Sequence, residues 1–127
     1  MKIVFFEVED WEEKYLKEKL KGNELIFFKD ELNDKIIESV QNAGIISVFI
    51  YSKVDKKILD KFQNLKAIIT RSTGFDHIDI KECRKRKISV LNVPSYGENT
   101  VAEHTFALIL ALSRKIHKSY ERTTRGN

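Results

Sequence analysis

The sequence predicts a doubly wound α/β fold built on a parallel sheet, and three observations carry that expectation. Short runs rich in β-formers alternate with stretches whose apolar residues recur at helical spacing. The run at 45–51 (IISVFIY) is apolar nearly throughout, which suits a strand covered on both faces. With 127 residues and 42% hydrophobic side chains, the chain is one domain in size. Such a chain buries roughly two-thirds of its unfolded surface.

Each element has a local reason. Residues 2–8 (KIVFFEV) read as the first strand, and residues 10–20 then place Trp11, Tyr15, Leu16 and Leu20 at helical spacing among charges. Gly22 and Asn23 stop that helix, and residues 24–28 (ELIFF) form the second strand. Asn33 caps a helix carrying Ile36, Ile37 and Val40, which Gly44 ends before the third strand at 45–51. A short helix at 55–62 has Ile58, Leu59 and Phe62 on one side, and residues 65–70 (LKAIIT) form strand four. A helix at 79–87 ends in a basic run, and residues 88–92 (ISVLN) form strand five. Right-handed crossovers between such units give a flavodoxin-like sheet with strand order 2-1-3-4-5.

The last segment breaks this rhythm. Thr100 and Glu103 make a capping-box pattern, which predicts one helix running from there to Arg122. Its middle, HTFALILALS, is apolar almost all round and needs cover on more than one face, from a second domain or a second subunit. The closing RTTRGN has no strand, cap or apolar anchor, so the chain is expected to be part of a longer one.

Composition narrows the function classes. Cys83 is the single cysteine, which excludes an internal disulfide and a cysteine-cluster metal site, and a reducing, cytoplasmic compartment is expected. The apolar N-terminus is too short, and its downstream flank too acidic, for a signal peptide. The longest apolar run, 106–112, falls far short of the ~20 residues that span a bilayer. The net charge of +4, from 23 basic and 19 acidic residues, describes a mixed surface. Neither a membrane nor a nucleic-acid partner is expected.

In an open parallel sheet, ligands bind beyond the carboxyl ends of the strands. Three loops meet there: Tyr51 and Ser52 after strand three, residues 71–77 (RSTGFDH) after strand four, and residues 93–98 (VPSYGE) after strand five. Each offers hydroxyls, amides or a glycine to a small anion. Gly74, beside Thr73, reads as a point where backbone amides approach a carboxylate or phosphate, or, more commonly, as a turn glycine with positive φ. Tyr51 and Tyr96 read as hydroxyl donors to the same ligand, or as amphipathic residues at a loop edge. Asp76 and Asp79 read as an acid pair or, better, as a helix cap. His77, His104 and His117 lack metal-ligand spacing, so no metal site is expected. The basic run 84–87 suits a helix C-terminus and a solvated face. Glycines at 22, 44, 74, 97 and 126 leave no GxGxxG and no Walker loop, and no complete catalytic set is present.

Two stretches narrow the choice further. TRSTGFDHIDI (70–80) and NVPSYGENTVAEHTFALILALSRKI (92–116), with VFIY at 48–51, resemble signature segments of the D-isomer-specific 2-hydroxyacid dehydrogenases, most of all their D-lactate dehydrogenase branch. The order R-S-x-G-F-D-x-I-D, then N-V-P-x-Y, then V-A-E-H-T is specific, and the likeness covers nearly the whole chain. The resemblance implies two flavodoxin-like domains with NAD in the cleft between them. On that reading residues 1–98 are the N-terminal part of the substrate domain, 99–122 an interdomain and dimerisation helix, and 123–127 the start of a link to the NAD-binding domain.

The resemblance also implies roles. The amides of Thr73 and Gly74 hold the substrate carboxylate, Tyr96 sits at the same anion, and Tyr51 lines the substrate pocket. Val101 faces the nicotinamide, with Thr100 beside it. The family's substrate-binding arginine, its histidine–glutamate acid/base pair and its glycine fingerprint belong to a second half outside this sequence. No catalytic residue is therefore assigned here, and the chain alone is expected to be inactive. The whole enzyme is expected to interconvert D-lactate and pyruvate by hydride transfer, as a homodimer. Two other readings compete. A phosphoacceptor receiver module needs an aspartate ending strand three, where Tyr51 and Ser52 stand, and a lysine after strand five, where Asn92, Val93 and Pro94 stand. A non-enzymatic binding or dimerisation module needs only the apolar helix.

Overall fold

A computed structural model describes residues 1–126. Among them, parallel strands β1 (Lys2–Phe5), β2 (Glu24–Phe27), β3 (Ile45–Val48), β4 (Ala67–Thr70) and β5 (Ser89–Leu91) form a single sheet. The strand order is β2-β1-β3-β4-β5, the flavodoxin-like order that the sequence predicts. Helices α1 (Asp10–Lys19), α2 (Asp34–Val40), α3 (Lys56–Leu59) and α4 (Ile80–Lys85) connect the strands. The chain divides into two units, Met1–Pro94 and the segment from Ser95 onward.

Strand periodicity builds the core of the first unit. Ile3 and Phe5 point to one face, where Leu16 of α1 and Leu20, which caps it, pack on them. Val4, Ile46, Val48 and Ile68 point to the other, against Ile37 and Val40 of α2, Leu59 of α3 and Cys83 of α4. Burying each such side chain contributes about 1.5–3 kcal/mol, which is why the strands are apolar rather than alternating.

The caps follow the sequence in two cases. Asn33 Oδ1 accepts from the Ile36 amide at 3.1 Å to open α2, and Asp79 Oδ1 accepts from the Glu82 amide at 2.9 Å to open α4. Helix α1 uses Glu12, whose carboxylate accepts from the Glu9 amide at 2.9 Å. The strands are shorter than the apolar runs suggest. β1 stops at Phe5 because Glu7 takes a left-handed φ of 56° and turns the chain, although Phe6 and Val8 stay buried.

The terminal segment corrects the sequence reading. The single helix expected at 99–122 is two helices, α5 (Glu98–Ser113) and α6 (Ile116–Thr124). Lys115 between them has φ 53°, and its amide bonds back to the Leu112 carbonyl at 3.2 Å, so a left-handed residue ends α5. Thr100 is not the cap: it lies inside the first turn, and Gly97 stands at the N-cap position without a side-chain cap. Phe106, Leu108, Ile109, Leu110 and Leu112 of α5 are all more than half exposed. Among the described residues no helix is long and apolar enough to cross a membrane.

Candidate functional site

The loop that follows β4 is held from within. Thr70 is buried, and its hydroxyl lies 2.6 Å from Ser72 Oγ and 3.1 Å from His77 Nε2. The Ser72 hydroxyl donates to the Gly74 carbonyl at 2.7 Å. The Ser72 carbonyl accepts from the Val93 amide at 3.0 Å, and the Thr73 carbonyl from Asn92 Nδ2 at 2.9 Å. The carbonyls of Ser72, Thr73 and Gly74 are therefore occupied by the protein. Among the described residues, the amides of Thr73 and Gly74 donate to no protein acceptor, and both residues are exposed. Neighbouring free amides beside satisfied carbonyls present partial positive charge, which suits a carboxylate.

Gly74 is not the positive-φ turn glycine that its sequence position most commonly signals; among the described glycines that conformation belongs to Gly22 and Gly126. A Cβ at Gly74 would meet only Asp76 Oδ2, at 3.9 Å. Neither backbone strain nor internal packing demands a glycine there.

Two residues outside the predicted site, Glu7 and Arg71, organise this edge. Arg71 donates through Nη1 to Ser47 Oγ at 3.1 Å and through Nη2 to the carbonyls of Phe6 at 2.9 Å and Glu7 at 2.6 Å. Its Nε stands 3.3 Å from Glu12 Oε1. Its guanidinium thus roots the loop in the sheet. Glu7 accepts from the amides of Phe49 and Tyr51, each at 2.8 Å, and from the Ser52 hydroxyl. Ser52 Oγ in turn accepts from the Leu32 amide at 2.9 Å. The available signal was an acid directly after an apolar strand, facing the end of the neighbouring strand.

The Glu7 contacts set the backbone at Tyr51, whose ring is exposed and lines a cavity of about 570 Å³ together with Trp11, Lys29, Glu31, Phe49 and Arg71. In the second unit, Tyr96 and Thr100 line a depression of about 300 Å³ around Gly97. Glu98 lies in the same depression, and its carboxyl is held below the usual range by the Ser95 hydroxyl and then by its own amide. Val101 is exposed on the first turn of α5. The structure thus joins Thr73 to Gly74 and Tyr96 to Thr100, and it anchors the Tyr51 backbone through Glu7. His77 is a partner of Thr70, whereas His104 and His117 are exposed on α5 and α6. Asp79 is the α4 cap, not half of an acid pair.

The family model for the D-isomer specific 2-hydroxyacid dehydrogenase catalytic domain matches residues 3–127. A 2-hydroxyacid dehydrogenase homolog of Haemophilus influenzae is 32% identical over the whole chain, which covers 40% of that protein. The D-lactate dehydrogenase of Escherichia coli is 28% identical, again over the whole chain and 40% of its own length. Among solved structures, D-lactate dehydrogenase from Aquifex aeolicus, complexed with NAD and lactic acid, matches with a TM-score of 0.85 and 36% identity. That match covers 98% of this chain and 38% of the other. The chain spans about 40% of the length of the curated relatives it matches. On the family match, the specific motifs and the shared fold, this chain belongs to the D-isomer-specific 2-hydroxyacid dehydrogenases.

Proposed function

We propose that the chain is the N-terminal part of the substrate domain of an NAD-dependent D-2-hydroxyacid dehydrogenase acting on D-lactate and pyruvate. The observation that carries this reading is the pair of free amides at Thr73 and Gly74, on a loop where the carbonyls of Ser72, Thr73 and Gly74 are engaged by the protein. A carboxylate seated on two backbone amides is held through charge-assisted hydrogen bonds and fixed in orientation. In this reading Tyr51 closes one side of the substrate pocket. Val101 and Thr100 contribute a minor part of the cofactor site. NAD, when bound, supplies the hydride acceptor or donor. This chain's residues bind the acid, orient its carbonyl carbon and exclude water from it.

The acid/base pair, the substrate arginine and most of the cofactor site lie in a further domain, so the chain by itself turns nothing over. Residues 1–98 form the domain part, 99–122 the connecting and dimerising segment, and 123–127 the start of the link. The exposed apolar residues of α5 support a homodimer. A cytoplasmic location belongs to the same proposal. The test is NADH oxidation by the full-length polypeptide across pyruvate, a branched 2-keto acid and glyoxylate. Reduction of pyruvate is expected; no turnover with any of the three overturns the reading.

A further inference from the structure

We propose that Glu7 is a positioning residue that couples the Tyr51 loop to the loop carrying Thr73 and Gly74; this rests on the substrate-site reading above. Glu7 has φ 56°, a region that only roughly a few per cent of non-glycine residues occupy and that favours glycine, asparagine and aspartate. A glutamate held there is kept for its side chain. Its carboxylate accepts from the Phe49 amide, the Tyr51 amide and the Ser52 hydroxyl, three donors within four consecutive residues. Its carbonyl accepts from Arg71 Nη2 at 2.6 Å, at the root of the Thr73–Gly74 loop. Its amide donates to the Asp30 carbonyl at 3.1 Å. One residue thus holds the backbone of one loop by its side chain and braces the other by its carbonyl. Ser52, fully buried and also accepting from the Leu32 amide, closes the arrangement on its inner side. A carboxylate is required, because a carboxamide puts an N–H where the loop already presents donors.

Two variants separate positioning from folding. Glu7→Gln replaces one acceptor by a donor. Glu7→Gly removes the carboxylate while suiting the left-handed backbone and keeping the carbonyl for Arg71. In the full-length polypeptide both are expected to raise KM for the 2-keto acid by at least about tenfold, the lower end of the worth of one charge-assisted hydrogen bond. KM for NADH is expected to stay at its wild-type value, and the glycine variant is expected to melt no lower than the glutamine one. In the ¹⁵N-labelled 127-residue chain, the Phe49 and Tyr51 amide protons are expected downfield in the wild type and shifted upfield in both variants. Wild-type keto-acid KM in both variants, or equal rises for keto acid and NADH, overturns the proposal. If the wild-type full-length protein reduces no 2-keto acid, the dehydrogenase reading fails separately. The amide shifts then decide the case, and unmoved Phe49 and Tyr51 signals overturn the role of Glu7.

Discussion

Replacing Gly74 by alanine separates ligand approach from chain conformation. Gly74 does not occupy the positive-φ region, and an added Cβ meets only Asp76 Oδ2 at ordinary contact distance, 3.9 Å. The fold therefore accepts alanine, and the stiffer unfolded chain raises stability by about 0.4–1 kcal/mol. The same methyl is expected to enter the space proposed for the substrate carboxylate. Displacing that group from one charge-assisted amide bond costs about 1.5–3 kcal/mol, a rise in keto-acid KM of about 10–150-fold. Urea unfolding of the 127-residue chain, followed by circular dichroism, reads the first quantity. Steady-state reduction of pyruvate by the full-length polypeptide reads the second. A variant that is more stable and binds pyruvate as well as the wild type refutes the assignment of the loop. A variant destabilised by more than about 1 kcal/mol refutes the claim that the fold does not need this glycine.

Other consequences follow from the same contacts. Arg71→Met strips the Phe6 and Glu7 carbonyls, Ser47 and Glu12 of their shared partner, whose side chain is only 19% exposed. The expected loss is about 3 kcal/mol in urea unfolding, and a loss under about 1 kcal/mol contradicts the rooting role. The carboxyl of Glu82 is held below the usual range, first by hydrogen bonds from Arg86 and then by Lys85. A depressed folded-state pKa gives stability that is present above the unfolded value and lost as pH falls through the folded one. Wild type and Glu82→Gln should therefore differ near neutrality and converge in acid, once the pH has fallen through the depressed folded-state pKa of Glu82. Sedimentation of the chain should show self-association that Leu108→Glu and Ile109→Glu reduce, because both side chains are more than half exposed on α5; a strictly monomeric wild type contradicts the homodimer.

Periodicity and punctuation were legible in the sequence because they are local. The apolar run at 45–51 implied a strand covered on both faces, and β3 is the central strand of the sheet. Asn33 and Asp79 announced their helices because a short polar side chain at that offset reaches the amide three residues on. The break at Lys115 was not legible, since lysine has no preference for the left-handed region and nothing nearby marks a stop. The contacts of Glu7 and Arg71 were silent for another reason. Their partners lie more than forty residues away in the chain for Tyr51 and Glu7, and sixty-four for Arg71 and Glu7. Only the parallel pairing of β1 with β3, and of β3 with β4, brings those groups together. The motif at 70–80 pointed to this loop, but the engagement of its Ser72 and Thr73 carbonyls by Val93 and Asn92, from the neighbouring strand end, was not legible in it.

The most direct test is a ¹H–¹⁵N titration of the labelled chain with oxamate, a non-reacting isostere of pyruvate. The Thr73 and Gly74 amides are expected to move first and furthest, with Tyr51 following. The Gly74→Ala variant should show the same spectrum elsewhere and little response. Perturbation confined to other surfaces, with Thr73 and Gly74 unmoved at saturating oxamate, would contradict the claim that this loop is the carboxylate receptor.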